Sequence, residues 1–248
     1  MHSAIQEGTK MRLARMAGAV LCWVVLGSAG LAADPAISSG ATLRGTLTYK
    51  GPPPDRKPLE VDHDQDCCAK RLIHPETLLV SDKGRVRNAV VWLEGVQGDK
   101  PWPTAAPALD QVGCIFTPHV TVVGVGQTVQ FLNSDPIIHN IHSWPRANEP
   151  MSVSQLAKGL GRSIKRTFSA PDEIKITCDV HKWMGAWIIV RDNPYYSMTG
   201  EDGTFEVTGI PPGTYKMVVW HESLERVERT VKLDAGAARV EDAELKLK

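Results

Sequence analysis

The stretch Ile174-Lys-Ile-Thr-Cys178-Asp-Val-His181-Lys-Trp-Met184-Gly185-Ala-Trp-Ile-Ile-Val190 sets two strand-like runs on either side of a loop carrying a thiol, an imidazole and a thioether. Upstream, Asn133-Ser-Asp-Pro-Ile-Ile-His139-Asn140 brings a second imidazole. One thiolate, two imidazoles and one thioether are the donor set of a mononuclear electron-transfer copper site, trigonal His₂Cys with a long axial Met. Soft sulfur donors favour Cu(I) and imidazoles accept both oxidation states, so the set suits a metal that cycles with little rearrangement. The expected ligands are His139, Cys178, His181 and Met184. Three come from one loop and one from a distant strand, so the site forms only on folding.

The pattern resembles the cupredoxins of the plastocyanin and amicyanin group. Phe168-Ser-Ala-Pro171 and the run from Ile174 to Val190 look like that family's last two strands and ligand loop. Phe116-Thr-Pro118, Val120 to Val123, Gly126-Gln-Thr-Val129-Gln-Phe131 and Asn133 to Asn140 look like its early strands and first histidine. The spacing of Cys178, His181 and Met184 is the short, amicyanin-like form of the loop. The resemblance covers roughly residues 108 to 192. It implies that His139, rather than the neighbouring His142, is the strand-borne ligand. It further implies that Asn140 braces the loop near Cys178, and that the outer edge of His181 is exposed and passes electrons to a partner.

The chain has 248 residues and a formal net charge of +0, so no polybasic surface argues for nucleic acid. Lys10, Arg12 and Arg15 precede an apolar run from Met16 to Leu26, and Gly30-Leu-Ala-Ala33 offers small residues for cleavage, the pattern of a signal peptide over 1–33. That core is short for a membrane span, and Cys22 follows Leu21 rather than a small residue, so no stable membrane anchor is expected. Removal of 1–33 leaves 25 of 28 basic and 27 of 28 acidic residues, a net charge near −2. Export to a periplasm, or secretion, is the expected destination. Cys67, Cys68, Cys114 and Cys178 remain. With Cys178 on a metal, either Cys67 or Cys68 is expected to bridge to Cys114 in an oxidising compartment.

After the leader the chain reads as short β-branched runs separated by Gly, Pro, Asn and Asp, which is how β-sandwiches look. Expected strands are Ala41–Tyr49, Thr77–Ser81, Val86–Leu93, Val120–Val123, Thr128–Asn133, Ile164–Phe168, Ile174–Cys178, Trp187–Arg191, Thr204–Thr208, Thr214–His221 and Arg226–Leu233. A short helix is expected within Ser152–Leu160, and a linker over Gly98–Pro107. Asp202-Gly203-Thr-Phe205 and Ile210-Pro-Pro-Gly213-Thr-Tyr215, with Leu43-Arg-Gly45 and Asn88-Ala-Val-Val91, resemble the carboxypeptidase regulatory-like (transthyretin-like) β-sandwich. These features fall on both sides of the copper-like segment. The expected fold is therefore all-β: a cupredoxin Greek-key sandwich over 108–192, inserted in or flanked by a regulatory-like sandwich made of 40–100 and 195–248. Neither flank alone holds enough strands for a stable sandwich.

Several residues carry a plainer reading beside the functional one. Cys178 alone would read as a structural thiol, and Met184 alone as core filler. His142 and His119 are surface histidines or a secondary metal pair. Trp183 is expected at an apolar rim of the site and Trp187 in the core. Trp220-His221-Glu222 is read as a hydrogen-bonded pair within the fold with no function assigned, the alternatives being a contact with the copper-like segment or a second metal. The loop of Asp62, His63, Asp64 and Asp66 is read as a solvated turn in preference to a metal site.

The absence of His-x-His pairs argues against a multicopper oxidase, and a single loop cysteine argues against a binuclear copper site. Four protein donors leave no open position for substrate, so the chain is not expected to be an enzyme. The expected function is one-electron transfer by an exported blue copper protein. The expected partner is a periplasmic redox protein such as a c-type cytochrome or a dehydrogenase. The alternatives are copper storage, delivery or sensing that uses His119 and His142, and a surface-binding sandwich in which the copper fold is a relic.

Overall fold

A computed structural model describes residues 40–248. The expected leader, with Cys22, lies outside the described residues. These residues form seventeen strands: β1 Ala41–Tyr49, β2 Val90–Glu94, β3 Ala108–Gln111, β4 Phe116–Thr117, β5 Val120–Gly124, β6 Thr128–Asn133, β7 His139–Trp144, β8 Met151–Gln155, β9 Ile164–Thr167, β10 Asp172–Thr177, β11 Gly185–Arg191, β12 Tyr196–Met198, β13 Thr204–Ile210, β14 Gly213–Trp220, β15 Val227–Leu233, β16 Ala238–Val240 and β17 Ala243–Leu245. The single helix among them, α1, is the four-residue turn Gln65–Cys68.

Two pairs of sheets enclose two cores. One pair is β13-β1-β16, with β17 also on β1, against β12-β2-β14-β15. Between them lie Leu43, Leu47, Val91, Leu93, Val207, Ile210, Val219 and Val231. The other pair is β5-β11-β10-β7-β8 against β4-β3-β6-β9, around Leu109, Phe116, Phe131, Ile141, Phe168, Ile174 and Ile188. Strands from both ends of the chain make the first core: β1 pairs with β13, and β2 with β14.

The most apolar runs are the strands buried on both faces. In β2, Val91 and Leu93 face the first core while Val90 and Trp92 face outward, and every residue but Glu94 is buried. In β11, Ala186, Ile188 and Val190 face the second core. Its alternate residues Trp187 and Ile189 meet Val90, Trp92, Val218 and Trp220 in a third apolar layer that joins the two sandwiches. Successive side chains of a strand point to opposite faces, so a strand loses its polar alternation only when both faces are covered.

Three expectations fail locally. Ser152–Leu160 holds no helix, because β8 occupies Met151–Gln155 and pairs with β7, His139 opposite Gln155 and Ser143 opposite Met151. Cross-strand hydrogen bonds outweigh the weak local preference of that run. The expected strand Val86–Leu93 begins only at Val90, because Asn88 at φ 62° turns the chain through the left-handed region. Thr77–Ser81 is not a strand either; its one ladder contact is the bridge of Val80 to Val86.

Candidate metal centre

β10 and β11 form an antiparallel hairpin in which Thr177 faces Gly185, so residues 178–184 are its connecting loop. That register sets Cys178 at one root of the loop and Met184 at the other. The Met184 amide donates to the His181 carbonyl at 2.9 Å, curling the loop so that His181 turns inward. β7 lies beside β10 with His142 opposite Thr177, which carries its first residue, His139, past the end of the hairpin toward the loop.

The geometry brings three of the expected ligands together. One ring nitrogen each of His139 and His181 and Cys178 Sγ lie within 4.8 Å of one another, and all three residues are buried. His181 Nδ1 is 2.9 Å from His139 Nδ1 and 3.7 Å from Cys178 Sγ. Met184 is buried in the same apolar cluster as Cys178.

The outer nitrogens explain why the inner ones face each other. His139 Nε2 donates to Asp135 Oδ2 at 2.9 Å, and His181 Nε2 donates to Asp64 Oδ2 at 2.9 Å. A carboxylate on Nε2 places the ring proton there and leaves Nδ1 as a lone pair. When both rings are neutral, two lone pairs therefore converge beside a sulfur. Such a convergence of donors is what a cation satisfies. Metal–nitrogen and metal–sulfur bonds of ~2.0–2.3 Å set ligand atoms ~3.5–4 Å apart. The 3.7 Å between Cys178 Sγ and His181 Nδ1 matches that spacing, and the two imidazole nitrogens at 2.9 Å would move apart to admit a metal. The donor set fits a soft, thiolate-binding metal.

Electrostatics act in the same direction. Burial opposes ionisation of Cys178, but its hydrogen bond with His139 and the amides of His181, Asn140 and Val180 outweigh burial and bring its pKa from 9.0 down to about 6. Burial also disfavours a charged His139, yet Asp135 and Cys178 raise its pKa above 6.5. Asp135 is held below the usual carboxylate value against burial, by His139 and by the amides of Cys114 and Gly113. Asn140 braces the loop from both sides: its amide donates to Cys178 Sγ at 3.3 Å, and its Oδ1 accepts the Asp179 amide at 3.4 Å.

Other expectations are corrected. His181 has 0 % exposure, and its outer edge is covered by Asp64, a residue read from sequence as part of a solvated turn. Trp183 is not an open rim: it is partly buried between two apolar clusters, 5.1 Å from the His181 ring, and its indole donates to the Cys114 carbonyl at 3.0 Å. Trp187 sits in the layer between the sandwiches. His119 and His142 form no pair. His119 bonds Glu222, and His142 bonds Asp179 at 2.8 Å while stacking on Trp144. The disulfide joins Cys68 to Cys114, and Cys67 is free. Sequence reasoning missed Asp135 and Asp64 as supports. Asp135 stands four residues before His139 in the quoted run; nothing local marks Asp64.

No family model matches the chain, and no curated protein matches it. Solved structures do resemble it. A copper-containing nitrite reductase (NirK) from Thermus scotoductus SA-01 is 25% identical over 40% of this chain and 24% of its own, with a TM-score of 0.32. A purple cupredoxin from Nitrosopumilus maritimus is 18% identical over 34% of this chain and 99% of its own, with a TM-score of 0.29. Amicyanin from Paracoccus versutus is 17% identical over 39% and 95%, with a TM-score of 0.30. Scores this low carry no argument. The regular structure of the described residues is itself almost entirely β-strand, arranged in packed sheets. Among the described residues no helix is long and apolar enough to cross a membrane.

Proposed function

We propose that the chain is an exported type 1 copper protein that carries single electrons, in which His139, Cys178, His181 and Met184 would hold the metal. The observation that carries this reading is the convergence of two imidazole nitrogens and the Cys178 sulfur within 4.8 Å in a buried pocket. Copper, when bound, supplies a one-electron couple between its cuprous and cupric states. The protein's own part is to hold the donors and exclude water. Asp135 and Asp64 fix the ring protons on the outer nitrogens, and the Asn140 amide places a hydrogen bond on the sulfur. Such bonds to a thiolate tune the potential of the metal it binds.

On this reading the copper sandwich spans 108–192 and interrupts a carboxypeptidase regulatory-like sandwich made of 40–100 and 195–248. The chain is a carrier rather than an enzyme, since four protein donors leave no position open for substrate. Its proposed location is the periplasm or the medium outside the cell. Its proposed partner is a redox protein such as a c-type cytochrome or a dehydrogenase. The test is the visible and electron paramagnetic resonance spectrum after addition of one equivalent of Cu(II). An intense thiolate-to-copper band, lost in Cys178→Ser, is expected. A colourless protein that binds Cu(II) through histidines alone overturns the assignment.

A further inference from the structure

Residues 59–73 cross the ligand loop as a strap, closed at its ends by the Leu59 amide donating to the Ile73 carbonyl at 2.7 Å. Its apolar side packs Leu59, Val61, Cys68 and Ile73 against Ile137 and Trp183. α1 sets Cys68 against Cys114, and their disulfide spans a sequence separation of 46. At the head of that turn Asp64 stands at φ 48°, in the left-handed region that Asp tolerates better than most residues. This conformation aims its carboxylate at His181 Nε2, 2.9 Å away.

The other half of the disulfide leads to the other imidazole. The Cys114 amide donates to Asp135 Oδ2 at 2.9 Å, and the same oxygen accepts from His139 Nε2 at 2.9 Å. One covalent bond thus ties together the carboxylate supports of both histidines. The Asp64 side chain is 45% exposed while His181 is fully covered, so Asp64 and its strap are what stand between this ring and solvent. An ion pair that open to water adds little to folding stability. Its consequence lies in where it holds the ring.

We propose that residues 59–73 form a tethered cap over the His181 edge of the site, with Asp64 the positioning residue for His181 and the Cys68–Cys114 disulfide holding the cap in register with Asp135. A redox partner approaching from this side meets the strap, not the imidazole. The cap deepens the copper reading, and rests on it only where metal affinity is the readout.

The test begins on the metal-free full chain, with acylation by diethyl pyrocarbonate mapped to individual histidines. His181 is expected to react at least roughly tenfold more slowly than His63, whose side chain is 58% exposed. Asp64→Ala should release His181 to acylation without moving the denaturation midpoint, and Asp64→Glu should restore its protection. Cys68→Ser with Cys114→Ser should release it as well. Cu(II) competition titrations followed by electron paramagnetic resonance should then show a roughly 10–100-fold loss of affinity in Asp64→Ala, the range for partners that orient a ligating histidine, with recovery in Asp64→Glu. The cap is overturned if wild-type His181 reacts as fast as His63, or if Asp64→Ala changes neither acylation nor affinity. If even the wild type shows no thiolate-bound copper, the copper reading falls, and the acylation rates still decide the cap.

Discussion

Glu222 Oε2 accepts the indole N–H of Trp187 at 2.9 Å, a bond from the loop after β14 to the strand that leaves Met184. The other oxygen of Glu222 meets His119 Nε2, and both side chains are nearly buried, at 11% and 7% exposure. One carboxylate from the outer sandwich therefore holds two groups of the inner one. Burial disfavours its charge, but His119 and Trp187 keep its pKa below the usual 4.5.

Removing that carboxylate strands a buried histidine and an indole donor. Glu222→Ala should cost about 3 kcal/mol, the range for breaking one partner of a buried pair, and Glu222→Gln less, since an amide oxygen still accepts from Trp187. Urea unfolding followed by tryptophan fluorescence measures both. The sign with pH follows from the depressed pKa: the contribution is complete above 4.5 and is lost as pH falls through the lower folded value. The wild type should therefore lose more stability on acidification than Glu222→Gln.

Asp135 accepts the Gly113 amide at 2.6 Å and the Cys114 amide at 2.9 Å besides the His139 ring. Asp135→Asn keeps one oxygen but turns an NH₂ toward donors. It should cost about 1–3 kcal/mol of stability and weaken Cu(II) binding roughly 10–100-fold. Thermal unfolding of the apo form reads the first effect, and competition against a chelator the second.

The thiol of Cys178 should ionise near neutrality. In a variant with Cys22→Ser and Cys67→Ser, the ultraviolet thiolate absorbance of the apo form should rise with a midpoint of about 6 rather than 9.0. A thiol whose folded pKa is depressed adds stability that is complete above its unfolded value and disappears as pH falls through the folded one. This group alone makes stability climb from about 6 to 9.0. His139, raised above 6.5, works the other way: its contribution is present below 6.5 and fades as pH passes its folded value. His139→Ala removes the foremost hydrogen bond that lowers the thiol pKa and should move the absorbance midpoint upward. A midpoint that stays near 9.0 in the parent variant would contradict the site geometry.

Cys68 and Cys114 close a loop of sequence separation 46, for which loss of chain entropy predicts about 4 kcal/mol of stabilisation. Cys68→Ser with Cys114→Ser should show a loss of this order in denaturant. Cys67→Ser, at a free and only partly buried thiol, should change stability little.

Much of this protein was legible along the chain because the deciding interactions are local. Cys178, His181 and Met184 share one hairpin loop, so their spacing alone reports the register that β10 and β11 later show. The runs that become β2 and β11 were legible as strands, and most of their residues are buried because both faces are covered. The Asp202-Gly203 turn was equally plain, with Gly203 at φ 68°.

What only the tertiary structure decided are relationships between residues far apart in sequence. Asp64 reaches His181 across 117 positions, and Glu222 reaches His119 across 103. Nothing in the local pattern distinguishes such a carboxylate from one in a solvated turn. The same holds for the choice of Cys68 over Cys67: adjacent cysteines are equivalent in sequence, and the α1 turn buries Cys68 against Cys114 while leaving Cys67 partly outside. Sequence determined which candidate donors are available and the hairpin that carries most of them. Folding decided which carboxylates orient those donors and which edge of the site is closed, because burial and hydrogen-bond geometry exist only once distant segments are packed together.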